Sequence, residues 1–207
     1  MEFMKDILEK GGPVMWPLLV CSLVSLTFVI ERVIFWCRFA LRRDRSVEEK
    51  IFSLCEDGNF EAADEESTRS QDAYSRILSA GIRHRQHGME EAVQVEAGRQ
   101  VDRMKQGLGV LDTIVTLAPL LGILGTVTGI IESLDLLGES GAQDPRAVTG
   151  GIAEALITTA TGLIVAVITL VPYNFLVARV QREARRIEEI SARFYVVCRR
   201  HFRGQDH

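Results

Sequence analysis

The sequence predicts an all-α membrane protein: three transmembrane helices, with long helical extensions on the cytoplasmic side of the bilayer. Three observations carry that prediction. Three apolar stretches, Pro13 to Ile30, Thr113 to Ile131 and Ala155 to Ala178, each approach the roughly 20 residues a helix needs to cross a hydrocarbon core of about 30 Å. Arginines crowd the ends of the first and third stretches and avoid the connection between the second and third. Outside the stretches, apolar residues recur at steps of three and four, the helical period. A mean hydropathy of +0.11 and a net charge of -4 average these regions away. A soluble single domain is excluded. So is a nucleic-acid binder relying on bulk charge, because a pI near 5.7 provides no basic field for phosphate.

The first element is a retained anchor over 1–37. Its apolar run is long for a signal-peptide core, has no A-x-A cleavage site, and passes directly into Glu31 and Arg32. Leu19-Val20-Cys21 is a poor lipoprotein signal, with Val20 standing where a small residue is favoured. Arg32, Arg38, Arg42, Arg43 and Arg45 follow this span, and Arg179, Arg182, Arg185 and Arg186 follow the third. The connection between spans two and three has only Arg146 against Glu132, Asp135, Glu139 and Asp144. The excess of basic residues on the cytoplasmic side therefore predicts a periplasmic N-terminus and a cytoplasmic C-terminus. A cytoplasmic helical region is expected over 38–110, a second span over 111–133, a short periplasmic loop over 134–146, a third span over 147–178 and a cytoplasmic helix and tail over 179–207.

In the cytoplasmic region, Ser46-Val47-Glu48-Glu49 has capping-box spacing and predicts a helix start. Asp57-Gly58-Asn59 predicts a turn between two short helices. Val93, Ala97, Val101, Met104, Leu108 and Leu111 form one face of a helix expected to run unbroken into the second span. Val180, Ala184, Ile187, Ile190, Phe194 and Val197 form a matching face after the third, so the two extensions are expected to pair. The cysteines, Cys21, Cys37, Cys55 and Cys198, include no C-x-x-C pair and read as packing residues.

The second span carries Pro119, Gly122 and the small-x-x-x-small pair Gly125 and Gly129. Such small residues let helices approach where lipid supplies no hydrophobic drive, and the proline removes one backbone donor. The third span carries Glu154, Thr158, Thr159, Thr161 and Gly162. At 100° per residue, Thr158 and Thr161 lie about 40° and 20° from Glu154, whereas Thr159 lies about 140° away. An ionisable group and hydroxyls on one stripe of a membrane helix point to a bundle interior or an ion path. No Asp, Glu, His or Lys lies in the middle of any span. Hydroxyls order and relay protons but do not store charge near neutral pH, so a proton path through this chain needs a carboxylate from a partner helix.

Two motifs, Ala118-Pro119-x-x-Gly122-x-x-Gly125-Thr126-Val127-x-Gly129-Ile130 and Gly151-Ile152-Ala153-Glu154-Ala155-Leu156-x-x-Thr159-Ala160-x-Gly162-Leu163, are followed by Pro172-Tyr173-Asn174. Together they resemble the MotA/TolQ/ExbB proton channel family, most closely its ExbB and TolQ members. The resemblance implies a pentameric ring around a dimer of a single-span ExbD- or TolR-like protein, whose membrane aspartate is the missing carboxylate. A TonB- or TolA-like protein would then be driven by the proton motive force across a bacterial inner membrane. It also implies pore threonines at Thr126 and Thr159, a membrane glutamate at Glu154, and Tyr173 and Asn174 near the cytoplasmic mouth. The choice between ExbB-like uptake, a TolQ-like envelope role and another ion-driven stator stays open at this level, as does proton against sodium.

A passive scaffold is the competing class, with the threonines bonding helix to helix. An enzyme is disfavoured. His84 and His87 stand three apart with no third ligand nearby, so no metal site is expected. No phosphate-binding glycine loop leads into a lysine-bearing helix, and no cofactor is implied.

Overall fold

The computed structural model describes residues 12–70, 72–140 and 145–203, which form seven helices and no strand. They are α1 (Met15–Arg42), α2 (Arg45–Glu56), α3 (Phe60–Arg69), α4 (Ala73–Arg83), α5 (Met89–Lys105), α6 (Leu108–Ser140) and α7 (Pro145–Arg203). The apolar windows of α1, α6 and α7 are long enough to cross a membrane, so the chain is an all-α, multi-pass membrane protein with three spanning helices. Divisions after Arg32, Gln106 and Leu176 separate two compact units.

The first unit holds the beginning of α1, most of α6 and the first part of α7. Its core is small: Met15 and Leu18 from α1, Ile114 and Ala118 from α6, and Ala166 from α7. The hydroxyls of Ser25 and Thr169 share a 2.6 Å hydrogen bond that ties α1 to α7. Large apolar residues face outward instead, including Leu120, Ile123, Val127, Leu163, Val167 and Val171. That inversion is what a hydrocarbon solvent selects.

In the second unit α2 to α5 pack with the C-terminal part of α7 around Phe52, Tyr74, Ile77, Leu78, Met104, Ile187 and Phe194. The expected stripe on α7 is buried at Val180, Ile187, Ile190, Phe194 and Val197. It pairs with α5 as expected, Tyr195 donating to the carbonyl of Glu90 and Arg199 bridging the Glu90 carboxylate at 2.9 Å. Cys55 and Cys198 are buried, which pushes both thiols up to about 12 and keeps them neutral packing groups. Cys21 is half-buried, and Cys37 is exposed, so packing does not account for it.

Two local expectations are corrected. Helix α2 starts one residue before Ser46, because Asp44 is the N-cap and accepts from both the amide and the hydroxyl of Ser46. A carboxylate two residues upstream takes the role assigned to the serine. The helix expected to run unbroken from 93 to 111 is interrupted by a turn at Gln106 and Gly107, where Gln106 leaves helical geometry with ψ 134° and Gly107 has φ +79°. The ring of Phe28 fills the space a Cβ at Gly107 would need, leaving 2.8 Å, so only glycine fits this left-handed turn. Beyond the break, Leu108 and Leu111 are buried. The expected turn at 57–59 is present: Gly58 has φ +76° and Asn59 caps α3. In the 134–146 segment α6 extends to Ser140 and α7 begins at Pro145, while 141–144 lie outside the described residues.

Candidate functional site

Helices α6 and α7 run antiparallel within the first unit, and the glycines singled out in the sequence lie where their backbones meet. A Cβ at Gly162 would stand 2.5 Å from the carbonyl oxygen of Ala118 and 3.0 Å from Cα of Gly122. One at Gly122 would stand 3.1 Å from Cα of Thr159, and one at Gly129 3.1 Å from Cβ of Ala155. At Gly125 the space belongs to the methyl of Thr158. Pro119 is inside α6 and half-buried. It lacks an N–H, so the carbonyl of Val115 has no helical donor.

This close approach joins Thr126 of α6 to Thr159 of α7 through a short hydroxyl–hydroxyl hydrogen bond. Thr126 also reaches the carbonyls of Gly122 and Ala155, at 3.2 and 3.3 Å, and Thr159 reaches the carbonyl of Gly122 at 2.9 Å. Two hydroxyl protons are thus shared among two carbonyls and the two hydroxyls themselves. Either threonine is able to donate, which is what a group must do to pass a proton on by re-orienting. Both side chains are half-buried.

The other two threonines behave differently. Thr158 is buried at 1% exposure and donates to the carbonyl of Glu154 at 2.9 Å. Thr161 is half-buried and donates to Ile157 at 2.8 Å. The azimuthal stripe Glu154–Thr158–Thr161 therefore bonds its hydroxyls along α7 itself. Thr159, the residue that falls off that stripe, makes the hydroxyl–hydroxyl contact with Thr126 of α6. Glu154 is half-buried, and its carboxylate packs against Gly12, just before the start of α1. It lies at the end of the apolar stretch rather than in its middle.

Three features were missed from sequence. Ser133 sits where a Cβ at Gly151 would fall and is 2% exposed. Ser25 pairs with Thr169. Tyr173, expected only as a mouth residue, stands near Asp112 of α6. A signal existed for the first and last of these: positions 112, 119, 126 and 133 recur every seven residues on one side of α6. In the second unit, the His84 ring meets the Ala80 carbonyl at 2.9 Å at the end of α4.

A family model described as the MotA/TolQ/ExbB proton channel family matches residues 69–189. Putative biopolymer transport protein ExbB-like 1 of Synechocystis sp. is 39% identical over 180 residues, covering 84% of this chain and 70% of that protein. ExbB-like 3 of the same organism is 33% identical over 195 residues, 92% of each chain. Biopolymer transport protein ExbB of Pseudomonas putida is 30% identical over 201 residues, 88% of this chain and 61% of that one. The chain belongs to the MotA/TolQ/ExbB proton channel family and is close to its ExbB members, a transport family rather than an enzyme class.

Proposed function

We propose that this member of the family is the proton-channel ring subunit of an ExbB–ExbD-type motor in the inner membrane, energising a TonB-like protein for outer-membrane transport. The observation that carries the reading is the Thr126–Thr159 hydroxyl pair. It is held by glycine-to-backbone packing in spans that contain no mid-span carboxylate of their own. In this reading Glu154 stands at the periplasmic end of the path and the threonines relay. An aspartate on a single-span ExbD- or TolR-like partner, enclosed by a homopentamer, supplies the group that stores the charge. The N-terminus is periplasmic and the C-terminus cytoplasmic. One charge crossing 100 mV releases about 2.3 kcal/mol, several times thermal energy, enough to bias movement of a ring against its core.

The test begins with gentle purification from the native membrane and identification of what stays bound. The expected finding is a small single-span protein with an aspartate in its span. Recovery of the chain alone, or with partners lacking a membrane carboxylate, counts for the scaffold reading. Glu154→Ala and Thr159→Val are expected to abolish energised uptake while the complex still assembles, and normal uptake in either variant would overturn the role given to that residue. A Tol-like third component in place of a TonB-like one would assign the same motor to envelope maintenance.

A further inference from the structure

Beyond Ala178, where its apolar stretch ends, α7 carries Arg179, Arg182, Arg186 and Arg193 within about 60° of one another. In the second unit, the last three of these and the start of α2 line an open cavity of about 550 Å³. Five arginines face it, Arg45 of α2 with Arg182, Arg185, Arg186 and Arg193 of α7, against three glutamates. Two of the glutamates are already engaged: Glu183 accepts from the Tyr74 phenol, and Glu48 faces Arg186 at 3.9 Å. Among the described residues, Arg45, Arg182, Arg185 and Arg193 make no ion pair.

Aromatic rings hold this charge in place. Arg193 lies over Phe52, 4.2 Å from the ring centre, and Arg186 over Tyr74 at 5.6 Å. Arg43 covers the same Tyr74 ring at 5.5 Å, and Arg179 covers Trp36 at 5.3 Å. Both have buried guanidinium nitrogens with no hydrogen-bond acceptor, so they add positive charge without a bonded carboxylate to cancel it. A guanidinium stacked by its face keeps its N–H edge for a ligand, and that fork matches the paired oxygens of a phosphate.

The near half of the cavity lies at the depth of lipid headgroups. At 1.5 Å per residue, Arg182 to Arg186 stand about 6 to 12 Å beyond Ala178, and headgroups extend about 5 to 8 Å beyond the hydrocarbon. Arg193, about 22 Å beyond Ala178, lies past them. Trp36, packed with Phe35 and Phe39, stands level with Arg179, and tryptophan is enriched at the membrane–water boundary. Setting the orientation of the spans requires positive charge near their ends. It does not require that charge to gather round one cavity, or every basic residue there to be arginine.

We propose that this cavity binds the phosphate of an anionic phospholipid of the cytoplasmic leaflet, gripped by Arg45, Arg182, Arg185 and Arg186. The bilayer presents that group at the mouth of the cavity. Glu183 and Glu189, interleaved with the arginines, oppose a continuous run of carboxylates such as an acidic peptide, whereas one compact phosphate fits between them. The site goes beyond the channel reading and stands whether or not the complex passes protons.

The test uses Trp36 as the reporter. Trp16→Phe leaves it the only tryptophan of the chain, and the full-length protein is reconstituted in phosphatidylcholine bilayers containing brominated phosphatidylglycerol or brominated phosphatidylcholine. Phosphatidylglycerol is expected to quench Trp36 with at least about fivefold higher relative affinity. Equal quenching by the two lipids would overturn the proposal. R182K/R185K changes two exposed residues and keeps the net charge, yet is expected to lose most of the preference because the forks are gone. An undiminished preference in that variant would mean attraction to bulk charge alone, and no site. R193Q is expected to keep the preference, since its position is too deep for a headgroup. Displacement of phosphatidylglycerol by millimolar inorganic phosphate, or a loss in R193Q as large as in R182K/R185K, would assign the cavity to a soluble phosphate and overturn the lipid assignment.

Discussion

Helix α7 passes through two environments, and the residues it turns outward differ accordingly. In the first unit Leu163, Ile164, Val167, Ile168 and Val171 are exposed, whereas the residues buried against α6 and α1 are Ala155, Thr158, Gly162, Ala166 and Thr169. In the second unit Arg182, Arg185, Glu188 and Glu189 are exposed, and Val180, Ile187, Ile190 and Phe194 are buried. Lipid gives no reward for hiding a large side chain, so contact there comes from small residues, close backbones and hydrogen-bonded hydroxyls. Water rewards hiding large apolar groups, so the second unit is built on aromatics and aliphatics. A backbone-to-backbone contact has no slack, while a side-chain contact has rotamers to spend.

That difference is testable at two glycines. Gly162→Ala places a methyl 2.5 Å from the carbonyl oxygen of Ala118, a backbone atom in a packed helix. The expected loss is about 3 kcal/mol or more, read as a large fall in Tm of the purified complex. Gly81→Ala in the second unit meets the Phe194 ring and a Val93 methyl, the latter at 2.7 Å. Because both are able to rotate, the expected loss is smaller, about 1–2 kcal/mol. Equal losses at the two sites would break the contrast drawn between the units.

The smallest effect expected is a gain. Asp72, at the start of α4, is 3% exposed, and its Oδ2 has no hydrogen-bond partner. Burial raises its carboxyl to about 6, outweighing the opposing pull of the adjacent amides of Ala73 and Tyr74 and of the Arg43 charge. A folded-state value above the unfolded one means the native state holds the proton more tightly. Stability therefore falls as pH rises from about 4 to about 6 and stays lowered above it. Asp72→Asn is expected to flatten that slope and raise stability at pH 7 by about 1 kcal/mol. A Tm at pH 7 lower than wild type would refute the assignment. The neighbouring Tyr74 presents the opposite case, a buried polar group fully engaged: its phenol donates to Glu183, and its ring lies between the guanidinium groups of Arg43 and Arg186.

The sequence by itself determined the helical class, the three spans, the apolar faces of α5 and α7, and the turn at Gly58, because each follows from local composition and periodicity. It also picked out the packing glycines and Thr126 and Thr159, through motifs that resemble a known family. Local rules failed where a neighbour distant in sequence intervened. Gly107 breaks the α5–α6 run under the ring of Phe28, and nothing between Val93 and Leu111 announces that contact. A helical wheel ranks Thr158 and Thr161 with Glu154 and sets Thr159 apart, yet only the facing helix decides which hydroxyl finds a partner across the interface. The antiparallel register of α6 on α7 made that choice: it spent the Thr158 methyl on filling the space at Gly125 and joined Thr159 to Thr126. Register is a property of two helices together, fixed by where their backbones approach closely enough to touch, and a single periodic pattern does not contain it.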